Sequence, residues 1–423
     1  MSTTDTESET RILEWYRDHL SKGRATLAEL FGRHMEVASE GAWLWTADGE
    51  RFLNCGGYGV FIMGARHPAV MEAVLAQLGR HPISTRILLE PAVGRAAHAL
   101  TAIAPVGLDR VHFVLSGAEA VETAIKLARA NGRRHIVSAH HGYHGKTLGA
   151  LSATAEPVYQ QPFRPLLPDV THVPYGDAPA LEQVLARHPG DCCVIVEPVQ
   201  GEGGVVIPPP GWLREVATLC RCYGALLVLD EVQTGMGRLG ARWGADLEGV
   251  VPDILLAGKA LGGGVLPVAA AITNQQVYRP FDRDPYLHTS TFSGAPVLMA
   301  AVRGAVEALE RDGLAERAAR LGAVLRPELA RIAAPYCPEL VVDVRGRGLL
   351  IGIEYAEPGL AGEMLIELFN HGVIANHSMN RSSTVRFTPP AVLTDADVEY
   401  LLDAFGRASS ALVAGRARPE GRR

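Results

Sequence analysis

Asp230 and Lys259 are the two side chains whose surroundings in this sequence point to chemistry. Ala225–Leu229 is a short apolar, partly β-branched run that stops at Asp230, and Ile254–Ala257 repeats the pattern ahead of Gly258 and Lys259. Runs of this kind read as buried parallel strands. In open α/β sheets ligands bind in the crevice outside the carboxyl ends of the strands, so both charges point at one site. An anion and an amine together suit a pyridine ring that carries an aldehyde. The carboxylate keeps the ring nitrogen protonated and the lysine forms a Schiff base with the aldehyde, a combination that calls for pyridoxal 5'-phosphate (PLP). A lone Asp and Lys are more often a turn cap and a surface charge, so the assignment depends on what else the chain carries.

Three further segments carry matching signals. Val111–Leu115 reads as a strand running into Ser116-Gly117-Ala118-Glu119, at the start of an amphipathic helix over Val121–Ala130. Helix N-termini bind phosphate through free N–H groups and the positive end of the dipole, although a serine N-cap alone explains the same residues. The strand His135–Ser138 leads to HHGYHGKT at His141 and its neighbours, and the strand Cys193–Val196 leads to EPVQGEGG, Glu197–Gly204. The histidines invite a metal, but no acidic residue or cysteine stands beside them at ligand spacing.

Taken together, DEVQTGMGR at Asp230–Arg238 and a lysine ahead of a glycine cluster resemble the hallmark of the class III (ω-amino acid:oxo-acid) aminotransferases of PLP fold type I. Asp230, Gln233, Gly235, Gly237, Arg238 and Lys259 match it, and two constrained segments at a plausible spacing are more specific than one short motif. The resemblance runs from about Gly41 to Ala411. It looks closest to putrescine-type (diamine) aminotransferases through HGKTLGALSATA, RPLLPDVTHVPYGD and DEVQTGMGR.

The resemblance implies an α/β fold of the aspartate aminotransferase type, with a large, mostly parallel-sheet domain and a smaller α+β domain. It implies that Lys259 and Asp230 are catalytic and that Ser116, Gly117 and Ala118 form a phosphate cup. Tyr143, followed by His144, would stack on one face of the ring, Val232 would pack on the other, and Gln233 would hydrogen-bond the ring's phenolic oxygen. Thr291, in HTSTFSGAP, matches a threonine that reaches the phosphate of the neighbouring subunit, which implies a homodimer with shared sites, or a tetramer built from it. On the substrate side stand Tyr58, in a glycine-rich stretch, and Glu202, paired with Arg386 of TVRFTPP. Neutralised by Glu202, Arg386 makes no demand for a carboxylate; released, its planar fork grips one. Tyr58 as simple packing and Glu202–Arg386 as a permanent ion pair remain alternatives. Arg86 stands where a neutral residue is expected near the entrance; it is either a carboxylate ligand for an ω-amino acid or a surface arginine.

The function implied is transfer of a terminal amino group from a diamine or ω-amino acid to 2-oxoglutarate or pyruvate, by a ping-pong mechanism. The alternative is an aminomutase or racemase of the same fold, which keeps Lys259 and Asp230 and needs no external oxo acid. A PLP-binding protein without catalysis is a third reading, since fold alone does not establish function.

The elements that must position these residues fit the composition. With 423 residues, 48% of them hydrophobic, the chain can bury one large core and a smaller second one. Its 45 glycines and 27 prolines suit many tight strand–helix connections. A net charge of −6 argues against a nucleic-acid partner. The six cysteines form neither a C-x-x-C pair nor a secreted framework, Met1–Thr10 lacks the features of a signal peptide, and no apolar run approaches a membrane span, so a cytoplasmic protein is expected. Gly41–Phe52 reads as a hairpin around Asp48-Gly49. The expected division is residues 1–55 as an N-terminal arm and part of the small domain, 56–296 as the PLP domain, 297–413 as the C-terminal small domain and 414–423 as a frayed basic tail.

Overall fold

The computed structural model describes residues 8–336 and 339–416. Three sheets organise them. A four-stranded sheet joins β1 (Glu36–Glu40), β2 (Trp43–Thr46) and β3 (Arg51–Asn54) to a late strand, β13 (Val373–Ile374). The central seven-stranded sheet contains β4 (Arg110–Val114), β5 (His135–Ala139), β6 (Val170–Val173), β7 (Cys192–Val196), β8 (Leu226–Asp230), β9 (Ile254–Ala257) and β10 (Ala269–Thr273), in the order β4-β10-β9-β8-β7-β5-β6. The third sheet orders β11 (Val341–Arg347), β12 (Leu350–Tyr355), β15 (Arg381–Phe387) and β14 (Asn376–Ser378).

The central strands are apolar without alternation because both faces are covered. β7, β8, β9 and β10 are buried at every position. Side chains of one strand point to opposite faces at a period of two: Val194 and Val196 join a core with Trp212 and Val216, while Cys193 and Ile195 join another with Val121 and Ala124. β10 is antiparallel to both β4 and β9, and the remaining pairings are parallel. A single reversed strand between β4 and β9 leaves the other six pointing one way. Their carboxyl ends therefore share one edge, and the loops after β4, β5, β7, β8 and β9 converge there.

The third sheet reaches that edge through β14 and β15, and Arg386 in β15 is paired with Gly352 on one side and Asn376 on the other. β13 lies parallel to β3, Val373 opposite Leu53, which fastens the early hairpin to the late part of the chain. The helix Pro296–Arg311 packs against Pro68–Leu78 and Pro91–Ile103 and against the turn Lys259–Gly262.

Most expected elements form within a residue or two of their expected ends. The short run Val373–Asn376 is split between β13 and β14, which belong to different sheets. The last helix, Asp395–Arg416, extends through the first residues of the stretch expected to fray; 417–423 and Cys337 lie outside the described residues. Cys55, Cys192, Cys193 and Cys220 are buried and Cys222 is exposed, all as free thiols. Among the described residues no helix is long and apolar enough to cross a membrane.

Candidate active site

Asp230 ends β8 and Lys259 follows β9 by two residues, so the neighbouring parallel strands bring both side chains to the wall of one cavity of about 490 Å³. Tyr58, the Ser116–Ala118 turn, Tyr143, His144, Glu202, Val232 and Gln233 line the same cavity. It is not the largest space in the molecule. About 880 Å³ lies between the N-terminal helices and β1, lined by residues such as Leu13, Tyr16, Val37 and Arg66, but no acid and lysine converge there from strand ends.

The helix Gly117–Ala130 begins with a reciprocal cap: Glu119 N donates to Ser116 Oγ at 3.3 Å, and Ser116 N donates to the Glu119 carboxylate at 2.9 Å. Gly117 and Ala118, the first two helical residues, have N–H groups with no acceptor inside the helix, and both line the cavity. A Cβ on Gly117 would meet Val232 Cγ1 at 3.0 Å, so glycine keeps this cradle open. These are the features a phosphate requires.

Asp230 is buried and accepts two hydrogen bonds, from Val232 N at 3.1 Å and from His144 Nδ1 at 2.8 Å. Burial opposes a charge on His144, but the Asp230 hydrogen bond and the charges of Asp230 and Glu197 outweigh it and hold the imidazole pKa above its ordinary value. His144 therefore steers the carboxylate it touches. Burial lowers the pKa of Lys259, reinforced by Arg386 and opposed by Glu202 and other carboxylates, so its amine at the cavity wall gives up a proton more readily than a surface lysine. Lys259 also has a φ of 45°, a left-handed conformation that costs a non-glycine residue energy and is held by its surroundings.

Arg386 Nη1 and Glu202 Oε1 lie 2.5 Å apart, both buried. Gln233 spans the pair: its amide nitrogen donates to Glu202 Oε1 at 3.2 Å, and its amide oxygen accepts from Arg386 at 3.4 Å. The amide expected to face a ring oxygen is thus committed to the Glu202–Arg386 pair while still lining the cavity. Arg386 Nε and Nη2 are buried without a partner, two donors in search of an acceptor.

The aminotransferase class-III family model matches residues 33–408. The chain belongs to the class-III aminotransferases. Among solved structures, the ornithine aminotransferase of Toxoplasma gondii, which has partial occupancy of PLP at its active site, is 30% identical with a TM-score of 0.90, over 97% of this chain and 96% of its own. An (S)-enantioselective omega-transaminase from Thermomicrobium roseum is 29% identical with a TM-score of 0.89, over 97% of this chain and 100% of its own. The acetylornithine aminotransferase of Elizabethkingia anophelis is 29% identical with a TM-score of 0.81, over 95% and 99%. The cofactor of this aminotransferase is PLP, and the phosphate-ready helix terminus, the buried Asp230 and the cavity-wall Lys259 fit it.

The aminotransferase site also holds residues that the motifs left without a role. Glu197 accepts from Tyr143 N at 3.0 Å and Gly201 N at 3.1 Å, tying two cavity loops together, and burial pushes its pKa up to about 7. Lys146 and Met379 line the cavity; the Lys146 ammonium stands 3.8 Å from the ring centroid of Tyr159 and 6.0 Å from that of Tyr143. Arg238, buried, donates to the carbonyls of Leu349, Pro389 and Gly59, gathering three segments behind the site. The sequence signals for these roles were the Gly-rich surroundings of Glu197, the basic side chain after Gly145 and the motif position of Arg238.

Tyr58 lines the cavity with φ 54° and remains 58% exposed, so it borders the cavity rather than filling a core. Arg86 and Thr291 are not in this cavity. Both are exposed, and Arg86 donates to the carbonyl of Ser290, next to Thr291.

Proposed function

We propose that this aminotransferase moves a terminal amino group from an ω-amino acid or diamine to a 2-oxo acid, 2-oxoglutarate or pyruvate, in two half-reactions at one cavity. The observation that carries the reading is the buried Glu202–Arg386 pair bridged by Gln233. A donor without a carboxylate at the reacting carbon finds Arg386 already neutralised. A 2-oxo acid finds a guanidinium whose Nε and Nη2 await an acceptor and whose fork matches a carboxylate. Lys146 favours the ω-amino acid over the diamine. It presents a cation at the cavity wall, which attracts a far carboxylate and repels a far ammonium.

When bound, PLP supplies an aldehyde that captures amines and a ring that accepts the electron pair left when a proton leaves the amine-bearing carbon. Ser116, Gly117 and Ala118 would hold its phosphate, Tyr143 and Val232 its two faces, and Asp230, oriented by His144, its ring nitrogen. Lys259 Nζ would hold its aldehyde and, once free, carry a proton to and from the reacting carbon, a task helped by its lowered pKa.

The reading includes a homodimer. Ile87, Leu88 and Leu89 are 88%, 77% and 102% exposed, and Arg86 beside them holds the carbonyl of Ser290, next to Thr291. An exposed apolar run attached to a threonine outside its own cavity suits a subunit interface that delivers Thr291 to the partner's phosphate. A cytoplasmic location belongs to the same reading, supported by the free thiols.

The test offers the PLP-loaded enzyme ω-amino acids, diamines and α-amino acids without acceptor, follows the cofactor absorbance, and then adds 2-oxoglutarate or pyruvate. Conversion by a terminal amine and reversal by one oxo acid is the expected result. Product formed without any acceptor would instead identify an aminomutase or racemase.

A further inference from the structure

Lys146 is one of four lysines among the 40 basic residues of the chain, and at the cavity wall it has neither a hydrogen bond nor an ion pair among the described residues. What holds it is aromatic. Its ammonium stands 3.8 Å from the ring centroid of Tyr159, with the Tyr143 ring further off at 6.0 Å. Tyr159 is itself fixed at both ends. Its hydroxyl donates to the Met379 carbonyl at 3.0 Å, and its backbone belongs to the short helix Pro157–Gln160. The last residue of that helix, Gln160, is buried and donates to the carbonyls of Leu151 and Thr154 at 3.1 and 2.9 Å.

The backbone under Lys146 is tied down on both sides as well. Gly145, with φ 117°, lies so close to the Ser116–Ala118 turn that a Cβ on it would stand 2.6 Å from that of Ala118. Thr147 Oγ1 and Gly149 N both donate to Glu122 Oε1, at 2.6 and 2.9 Å. The lysine therefore has a fixed root beside the proposed phosphate cup and a fixed tip over Tyr159. A free lysine chain sweeps its charge through a wide volume, because its four-carbon stem is flexible. We propose that Tyr159 is a positioning residue that pins Lys146 Nζ, so that the cavity selects its amino donor by length. A mobile ammonium attracts far carboxylates of many reaches; a pinned one favours the chain that just spans the space from Lys259 to Nζ. The inference rests on the ω-amino-acid reading of Lys146 given above.

Tyr159→Leu removes the ring, and Tyr159→Phe keeps it while removing the bond to Met379. Both variants and the unmodified enzyme are compared with β-alanine, 4-aminobutyrate, 5-aminopentanoate and 6-aminohexanoate, and with n-butylamine as a donor that has no carboxylate. The unmodified enzyme and Tyr159→Phe should prefer one length. In Tyr159→Leu the advantage of that donor in kcat/KM over its neighbours in length should fall about three- to fivefold, the scale of one exposed cation–π contact. The change should lie in KM, with kcat and the butylamine reaction retained. An unmodified enzyme without a length preference, an unchanged profile in Tyr159→Leu, or an equal loss in Tyr159→Phe or with butylamine would overturn the proposal. If the unmodified enzyme converts no ω-amino acid, the donor reading falls separately, and the pin is read without turnover. In enzyme labelled with 13C at lysine Cε, the four lysines give four signals, that of Lys146 being the one lost in Lys146→Arg. The Tyr159 ring current should move its Hε signal upfield in the unmodified enzyme and in Tyr159→Phe but not in Tyr159→Leu; no upfield shift in the unmodified enzyme refutes the pin.

Discussion

Glu202 Oε1 stands 2.5 Å from Arg386 Nη1, with the amide of Gln233 bridging the two and all three side chains buried. A buried ion pair adds little to stability compared with apolar packing, and removing one partner strands the other. The same pair leaves two guanidinium nitrogens buried and unpartnered, as the proposed carboxylate gate requires.

Arg386→Leu is expected to lower kcat/KM for the 2-oxo acid about 100-fold, the scale of a lost bidentate carboxylate contact. The terminal-amine half-reaction should change by less than about tenfold, a split that single-turnover measurements of each half-reaction reveal. The thermal midpoint should also fall, because Glu202 is left buried with a charge, and Glu202→Gln in the same chain should restore part of it.

Asp230→Asn removes the anion that faces the cavity and receives His144 Nδ1. Turnover should drop about 100- to 10,000-fold. The turn proposed to hold the phosphate is untouched, so cofactor content, measured after gel filtration, should stay close to that of the unmodified enzyme. Loss of cofactor in parallel with activity would instead make Asp230 chiefly a binding residue.

Glu197 makes stability depend on pH in a defined direction. Its folded pKa is about 7 against an ordinary 4.5, so the native state holds a proton that the unfolded chain has released. Its contribution is therefore complete below about pH 4.5 and is lost as pH rises towards 7. Glu197→Gln should remove this slope, by at most about 3 kcal/mol between pH 4.5 and 7. Denaturant midpoints of variant and unmodified enzyme, compared across that window, check the sign; a difference that stays constant with pH would refute it. Glu231, also raised to about 7 by burial, contributes in the same direction in both proteins.

Lys146→Glu reverses the charge at the cavity wall while leaving Tyr143, Asp230 and Lys259 unaltered. Donors with a far carboxylate should lose about three- to tenfold in kcat/KM, and diamines should gain by a similar factor, the scale of a partly exposed charge contact. Competition between one ω-amino acid and one diamine in a single reaction measures the switch directly.

Much of this molecule is legible along the chain. The strands that end at Asp230 and precede Lys259 are uninterrupted apolar runs because they are covered on both faces, and that burial writes itself into local sequence. The Ser116/Glu119 cap, the Tyr143 loop and the Glu202 loop are equally local, each a few residues after a strand. What escaped was assembled from distant parts. Gln233 carries its motif position openly, but its amide serves the Glu202–Arg386 pair because β15, some 150 residues on, is laid against the central edge. Val373–Asn376 reads as one strand because period and composition do not record which sheet a residue joins.

By itself, then, the sequence determined the large sheet, the acid–lysine pair at its carboxyl edge and the phosphate-ready helix, because those depend on burial patterns and capping within short segments. Only the tertiary structure decided that Glu197 ties the Tyr143 and Gly201 loops, that Lys146 and Met379 line the cavity, and that Met379 N reaches the Glu202 carboxylate across 177 residues of chain. Those relationships arise from hydrogen bonds between loops whose approach is fixed by sheet order and domain packing, and no local periodicity encodes such an approach.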